Sequence, residues 1–118
     1  MARLGQHFIK DEKLLERVVS AARLVEDDHV LEVGVGSGSL TERIAESGCR
    51  LTCMELDEKL AGIAVEKFRD YDNVDVVWGD ALKLKWPSFN KCVSSIPYGI
   101  SRAFTVRLLE SRFDLSVL

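Results

Sequence analysis

Short apolar stretches alternate with amphipathic ones along this chain, and a glycine-rich segment follows the first apolar stretch. HVLEV (29–33) predicts a buried strand, GVGSG (34–38) a tight turn, and SLTERIAESG a helix that Gly48 ends. Parallel strands need a crossover between them, so this alternation favours a parallel sheet covered by helices. The expected fold class is therefore α/β, a Rossmann-like, doubly wound and mostly parallel sheet.

The rest of the sequence continues the alternation. A capping box of Ser39 and Glu42 is predicted for the helix after the glycine turn, and Asp57 is predicted to cap the next one. The other expected elements are helices at 11–24, 57–70 and 101–111, strands at 50–56, 74–78 and 89–95, and a fifth strand within 114–118. Because the chain stops inside that strand, we expect a sheet truncated near strand 5.

Composition excludes several classes of protein. Apolar residues make up 47% of the chain and glycine and proline are scarce, which predicts a packed core rather than disorder. No apolar run approaches the roughly 18 residues of a membrane span, and the first residues lack a signal-peptide pattern. We therefore expect a cytoplasmic protein without a membrane partner. Cys49, Cys53 and Cys92 lack metal or disulfide spacing and are expected to be reduced and buried, so no metal site is predicted.

Charge is distributed unevenly about a net value of −3. Residues 1–82 hold ten basic and seventeen acidic side chains, whereas residues 83–118 hold six and two. The six are Lys83, Lys85, Lys91, Arg102, Arg107 and Arg112, and they surround the segment VSSIPYGIS (93–101). Two interpretations stay open: solvated surface charges, or a rim that attracts phosphate.

Ligands of open parallel sheets bind beyond the carboxyl ends of the strands, so the residues at those ends are the candidate site. Gly34 and Gly36 let a ligand approach the backbone, although the third glycine comes too early for a dinucleotide motif. Glu55 can accept both hydroxyl hydrogens of a ribose. Asp80 can accept from an adenine amino group, with Ala81 leaving room for the ring. Together these features indicate an adenosine without phosphates, which points to S-adenosylmethionine.

The fourth strand end carries Ser95, Pro97 and Tyr98, beside the first strand and hence beside the methyl group of such a cofactor. Pro97 offers a backbone carbonyl, Tyr98 a face on which a base stacks, and Ser95 a side-chain acceptor. An aromatic amine held by such acceptors aims its lone pair at a sulfonium methyl. The three are the candidate catalytic residues, and Ser95 also counts among those that face the cofactor.

These motifs, together with Leu4-Gly5-Gln6-His7-Phe8-Ile9, resemble the N-terminal catalytic part of the rRNA adenine N6,N6-dimethyltransferase family, relatives of the erythromycin-resistance methylases. The resemblance spans nearly the whole chain and implies methylation of adenine in small-subunit rRNA. It also implies that Gln6, His7, Ile9 and Leu56 help hold S-adenosyl-L-methionine. Residues 1–118 are then a methyltransferase domain that lacks the family's later strands and its helical RNA-binding lobe.

One departure from the family pattern leaves alternatives open. Ser95 stands where the family has Asn, or Asp in related amine methylases, and its hydroxyl is shorter. A truncated remnant that binds cofactor or RNA without catalysis is therefore a second hypothesis. A nicotinamide-binding half is a third, which the early third glycine disfavours.

Overall fold

The computed structural model describes residues 12–94, 98–111 and 115–117. It contains α1 (Glu12–Ala22), β1 (His29–Val33), α2 (Ser39–Glu46), β2 (Arg50–Glu55), α3 (Glu58–Lys67), β3 (Val74–Trp78), β4 (Lys91–Val93), α4 (Tyr98–Leu109) and β5 (Leu115–Val117). The strands form one sheet in the order β3-β2-β1-β4-β5, and every described pair is parallel. The predicted α/β class and the predicted adjacency of β1 and β4 are confirmed.

Side chains alternate across the sheet, so its two faces build separate cores. On one face, Val30 and Leu51 pack with Leu15 of α1 and Ile44 of α2, while Cys53 packs with α3. On the other face, α4 and the segment 81–89 cover β1, β2 and β4 in the cluster of Leu31, Val33, Met54, Ala81, Phe89, Cys92, Phe104 and Leu108. Helices thus lie on both faces, as the doubly wound pattern requires.

A polar network closes the amino-terminal ends of β1 and β4. Asp28 is buried, and its carboxylate accepts from Lys91 Nζ and from Asn90 Nδ2, both at 2.8 Å. Asn90 Oδ1 accepts from the backbone N–H of His29 at 2.7 Å, and Lys91 Nζ also donates to the carbonyl of Arg23 at 2.7 Å. These bonds join the turn before β1 to the start of β4.

Local details correct two predictions. The capping box at Ser39 is wrong: Gly38, at φ 87°, occupies the cap without a side-chain bond, and Ser39 is already the first helical residue. The fourth strand is shorter than predicted at its start, because Phe89 and Asn90 belong to the preceding loop. The cap at Asp57 is confirmed by its bond to Leu60 N, and the three cysteines are free and buried. No helix in the described residues is long and apolar enough to cross a membrane.

Candidate functional site

Glu55 joins the first two loops at the carboxyl edge of the sheet. It ends β2 and is only 5% exposed. Its Oε1 accepts from the backbone N–H of Gly36 at 3.0 Å, and its Oε2 accepts from that of Asp57 at 3.0 Å. Each carboxylate oxygen has a second lone pair, so two further acceptor positions remain for hydroxyl hydrogens. One side chain therefore fixes the glycine turn after β1 to the turn before α3.

The glycine turn depends on backbone conformations that other residues rarely adopt. Gly34 and Gly36 have φ values of 87° and 57°, in the left-handed region. The N–H of Gly34 extends the sheet by donating to the carbonyl of Met54 at 2.8 Å. The chain then turns back so that Gly36 meets Glu55, which brings three predicted cofactor residues together at one edge.

Beneath this turn lies a buried acid, Glu32, to which sequence reasoning gave no separate role. It is fully buried, and its Oε1 accepts from the hydroxyl of Thr41 in the first turn of α2 at 2.6 Å. Its Oε2 has no hydrogen-bond partner among the described residues. Burial, reinforced by the nearby charge of Glu55 and opposed by the bond from Thr41, raises the pKa of Glu32 to about 8. Glu32 is therefore mostly protonated at neutral pH.

Asp80 and Ala81 lie in the turn that follows β3. The N–H of Gly79 donates to the carbonyl of Glu55 at 2.9 Å. This turn therefore starts beside the Glu55 bridge, the pair of hydrogen bonds by which the Glu55 carboxylate joins Gly36 to Asp57. Asp80 Oδ1 accepts from Leu82 N at 2.9 Å, while its Oδ2 has no hydrogen bond within the described part of the chain. One oxygen thus shapes the turn and the other stays available. The methyl group of Ala81 is buried against the core cluster beneath α4.

Leu56 follows Glu55 and is 57% exposed. Its carbonyl accepts from the indole N–H of Trp78 at 3.1 Å. Leu56 and Trp78, with residues 57–59, line an open hollow of about 590 Å³ at the outer side of the β2–α3 turn. Leu56, which was predicted to help hold the cofactor, is therefore accessible at the edge of the site.

The fourth strand end reaches the same edge through Ser94. Its hydroxyl is buried and accepts from the backbone N–H of Val33 at 3.0 Å, which continues the β1–β4 contact past the last ladder pair. Tyr98 is the first residue of α4. The other predicted residues of this group, Ser95 and Pro97, lie outside the described residues, as do Gln6, His7 and Ile9.

The basic residues that could form a phosphate-attracting rim are only partly available. Lys91 begins β4, at the opposite end of the sheet, and is held by Asp28. Arg107 is occupied by backbone carbonyls. Lys83, Lys85 and Arg102 are exposed, and Arg112 lies outside the described residues. Sequence position alone placed Lys91 near the turn, whereas a strand separates the two.

Gly79 provides a test of the turn after β3. Its φ is 153°, and an added Cβ would lie 2.9 Å from Leu84 Cδ1, which packs against the core. We expect Gly79→Ala to lower the free energy of unfolding by about 1–3 kcal/mol. Gly62→Ala is the matched control: its Cβ meets nothing within 4 Å inside α3. It should stabilise the protein by about 0.5–1 kcal/mol. Urea unfolding measures both, and equal effects of the two changes would contradict the prediction.

Four side chains that sequence reasoning did not assign shape this edge: Glu32, Thr41, Ser94 and Trp86. Only Glu32 and Thr41 had a readable signal, since they flank the glycine segment nine residues apart. Ser94 and Trp86 act through contacts between distant segments, to the N–H of Val33 and the carbonyl of Ala81.

The chain is similar over its whole length to proteins of one known family. The model of the ribosomal RNA adenine dimethylase family matches residues 1–118. A relative from Methanothermobacter thermautotrophicus, "Probable ribosomal RNA small subunit methyltransferase A", is 47% identical over 115 residues. That alignment covers 98% of this chain and 42% of the relative. The chain therefore spans less than half the length of such curated relatives.

Two solved structures share the fold. A dimethyladenosine transferase from Plasmodium falciparum superposes with a TM-score of 0.82 at 30% identity, covering 90% of this chain and 39% of that one. The 23S rRNA methyltransferase ErmE gives a TM-score of 0.81 at 36% identity, covering 88% and 43%. Both confirm that the sheet and its helices follow the arrangement expected from the sequence.

Proposed function

Because the chain belongs to the ribosomal RNA adenine dimethylase family, we propose that it is the catalytic domain of an S-adenosylmethionine-dependent methyltransferase acting on adenine in ribosomal RNA. Residues 1–118 are the cofactor-binding domain in this proposal. The observation that carries it is the Glu55 bridge, which places a carboxylate with spare acceptor capacity between two loops at the carboxyl edge. A cytoplasmic location is part of this proposal and is consistent with a ribosomal RNA substrate.

The described residues fit an adenosine ligand. Glu55 would hold the ribose hydroxyls, and the available Oδ2 of Asp80 would accept from the adenine amino group. Gly34 and Gly36 give the ligand access to the backbone, and Leu56 covers it from the outside. Gln6, His7 and Ile9 are proposed, from the family resemblance, to close the site from the other side.

Bound S-adenosylmethionine would supply an electrophilic methyl group on a positively charged sulfur. The chain's own contribution is to position the second reactant: the carbonyl of Pro97 and the hydroxyl of Ser95 hold the target amine, and Tyr98 stacks on the base. Ser94 supports this by tying the end of β4 to Val33. Positioning of this kind accelerates an in-line displacement without a covalent intermediate. The adenine must leave its stack to reach the turn.

Small-subunit RNA is the proposed substrate. The relative at 47% identity is named for the small subunit, whereas ErmE, at 36% identity, is named for 23S rRNA. Greater identity to the first favours its class of RNA.

Calorimetry and methyl transfer test the proposal together. We expect saturable binding of S-adenosylmethionine and none of NADH, followed by transfer of labelled methyl groups to small-subunit rRNA in preference to 23S rRNA. Ser95→Asn, which restores the longer amide acceptor, should increase the transfer rate. Absence of cofactor binding by the folded protein would remove the proposal.

A non-catalytic remnant is the second candidate, and the observation that favours it is Ser95 in place of Asn. It predicts that the wild-type protein and Ser95→Asn both bind the cofactor and neither transfers a methyl group.

A further inference from the structure

Arg107, near the end of α4, is bound to the loop that carries Asp80 and Ala81. Its guanidinium donates through Nη1 to the carbonyl oxygen of Ala81 and through Nη2 to that of Leu84, the latter at 2.6 Å. The guanidinium also stacks on Trp86, with Cζ 4.1 Å from the ring centroid. An arginine fork can bind two acceptors at once in a fixed plane.

Trp86 binds the same loop. Its indole N–H donates to the same carbonyl of Ala81 at 2.8 Å. Its ring packs on Phe104 of α4 and on Phe89, with centroids 5.4 and 5.9 Å away. The Ala81 carbonyl therefore accepts two hydrogen bonds, which use both lone pairs and fix its direction.

We propose that Arg107 and Trp86 are positioning residues. They hold the Asp80–Ala81 loop so that the site distinguishes adenine from a purine that lacks the 6-amino group. This inference rests on the proposed function, because it assumes that Asp80 faces the adenine amino group. Neither residue touches the ligand; both act through the Ala81 carbonyl.

Because the loop has no regular hydrogen-bond ladder, side-chain contacts contribute to its position. Residues 79–90 contain no strand or regular helix. At its start, the Gly79 bond to Glu55 and the turn closed by Asp80 set the local shape. Ala81 packs in the core cluster with Phe104 and Leu108 of α4, and the hydrogen bonds from Arg107 and Trp86 add a directional attachment at its carbonyl. Because α4 begins at Tyr98, the same helix connects the Asp80–Ala81 loop with the turn that is proposed to hold the target base.

Calorimetric titration with two nucleosides tests the proposal. S-adenosylhomocysteine carries the 6-amino group, and S-inosylhomocysteine carries an oxygen in its place. The wild-type protein should prefer the first. Arg107→Met should weaken binding of S-adenosylhomocysteine about tenfold and reduce the preference toward unity, because Asp80 is no longer held in place. Arg107→Lys keeps the charge and the aliphatic stem but cannot bind both carbonyls, so an intermediate preference is expected.

The matched control is Arg102→Met, which removes an exposed arginine from the same helix and should leave both affinities unchanged. A purely structural role for Arg107 would lower the melting temperature while the ratio of the two affinities stays at the wild-type value. If Arg107→Met and Arg107→Lys both fold and keep the wild-type ratio of the two affinities, the proposal is overturned. If only Arg107→Lys folds, the ratio measured for that variant decides. Wild-type protein that binds neither nucleoside instead removes the proposed function, so the two failures are distinguishable.

Discussion

Replacing Glu55 with glutamine is expected to weaken the binding of S-adenosylhomocysteine by about 100-fold, the largest effect of any single change at the site. The glutamine side chain keeps only one acceptor oxygen, whereas the carboxylate serves the N–H groups of both Gly36 and Asp57. The amide N–H₂ would face one of these donors, so the bridge between the two loops opens. The ribose hydroxyls lose their charged acceptor at the same time.

Calorimetry of the folded variant measures this effect. Glu66→Gln, the same substitution at an exposed position near the end of α3, should bind the ligand as the wild-type protein does. Unfolding experiments should show a stability loss of about 1–3 kcal/mol for Glu55→Gln, as expected when buried donors lose their partners. Wild-type affinity in Glu55→Gln would show that the carboxylate does not contact the ligand.

The stability of the protein should fall as pH rises from 5 to 8, because Glu32 keeps its proton in the folded state. Its pKa is raised by burial from 4.5 to about 8. Above pH 4.5 the unfolded chain releases this proton while the folded protein holds it, so each pH unit costs about 1.4 kcal/mol. The contribution of Glu32 to the free energy of unfolding is fully present below pH 4.5 and is lost as pH approaches 8. The expected loss across the window is roughly 4 kcal/mol.

Another group titrates in the same window with the opposite sign. Burial, and then the charge of Arg50, lowers the pKa of His29, so the unfolded chain binds a proton near pH 6.5 that the folded protein does not. This contribution makes the protein more stable as pH rises. The wild-type curve alone therefore understates the effect of Glu32.

Glu32→Gln isolates it. The variant keeps an oxygen that accepts from Thr41 and carries no titratable group, so the difference between the two proteins removes the contribution of His29. Urea unfolding at pH 5, 6, 7 and 8 should show a wild-type stability that declines relative to the variant at each step. Parallel curves would show that Glu32 is ionised in the folded protein.

Elements were predictable where a local pattern determines them. β1 was predicted to the residue, because apolar residues, glycines and a helical pattern follow in order along one stretch. The cap of α2 was not, because Gly38, in the left-handed conformation, occupies the N-cap position that was predicted for Ser39. Sequence spacing also cannot show that Phe89 and Asn90 leave the sheet, since Asn90 is drawn to Asp28 and His29, more than sixty residues earlier.

At the site, residue type at strand ends predicted where Glu55 and Asp80 would gather, since topology alone brings carboxyl ends to one edge. It could not predict that Glu55 spans two loops through backbone N–H groups, because that depends on the turn at Gly36. Nor could it predict that Arg107, for which a solvated surface charge and a phosphate-attracting rim both stayed open, donates to the backbone carbonyls of Ala81 and Leu84. Both contacts arise from three-dimensional packing that no local periodicity encodes.

The closure of the amino-terminal edge around Asp28, Asn90 and Lys91 has a consequence for how this fold can diversify. Those buried bonds secure β1 and β4 at the end farthest from the loops that face a ligand. Mutations that alter the opposite loops can thus accumulate without loosening the anchored pair of strands. Selection for a new target can proceed at one end of the sheet while the other preserves the architecture that any descendant would inherit.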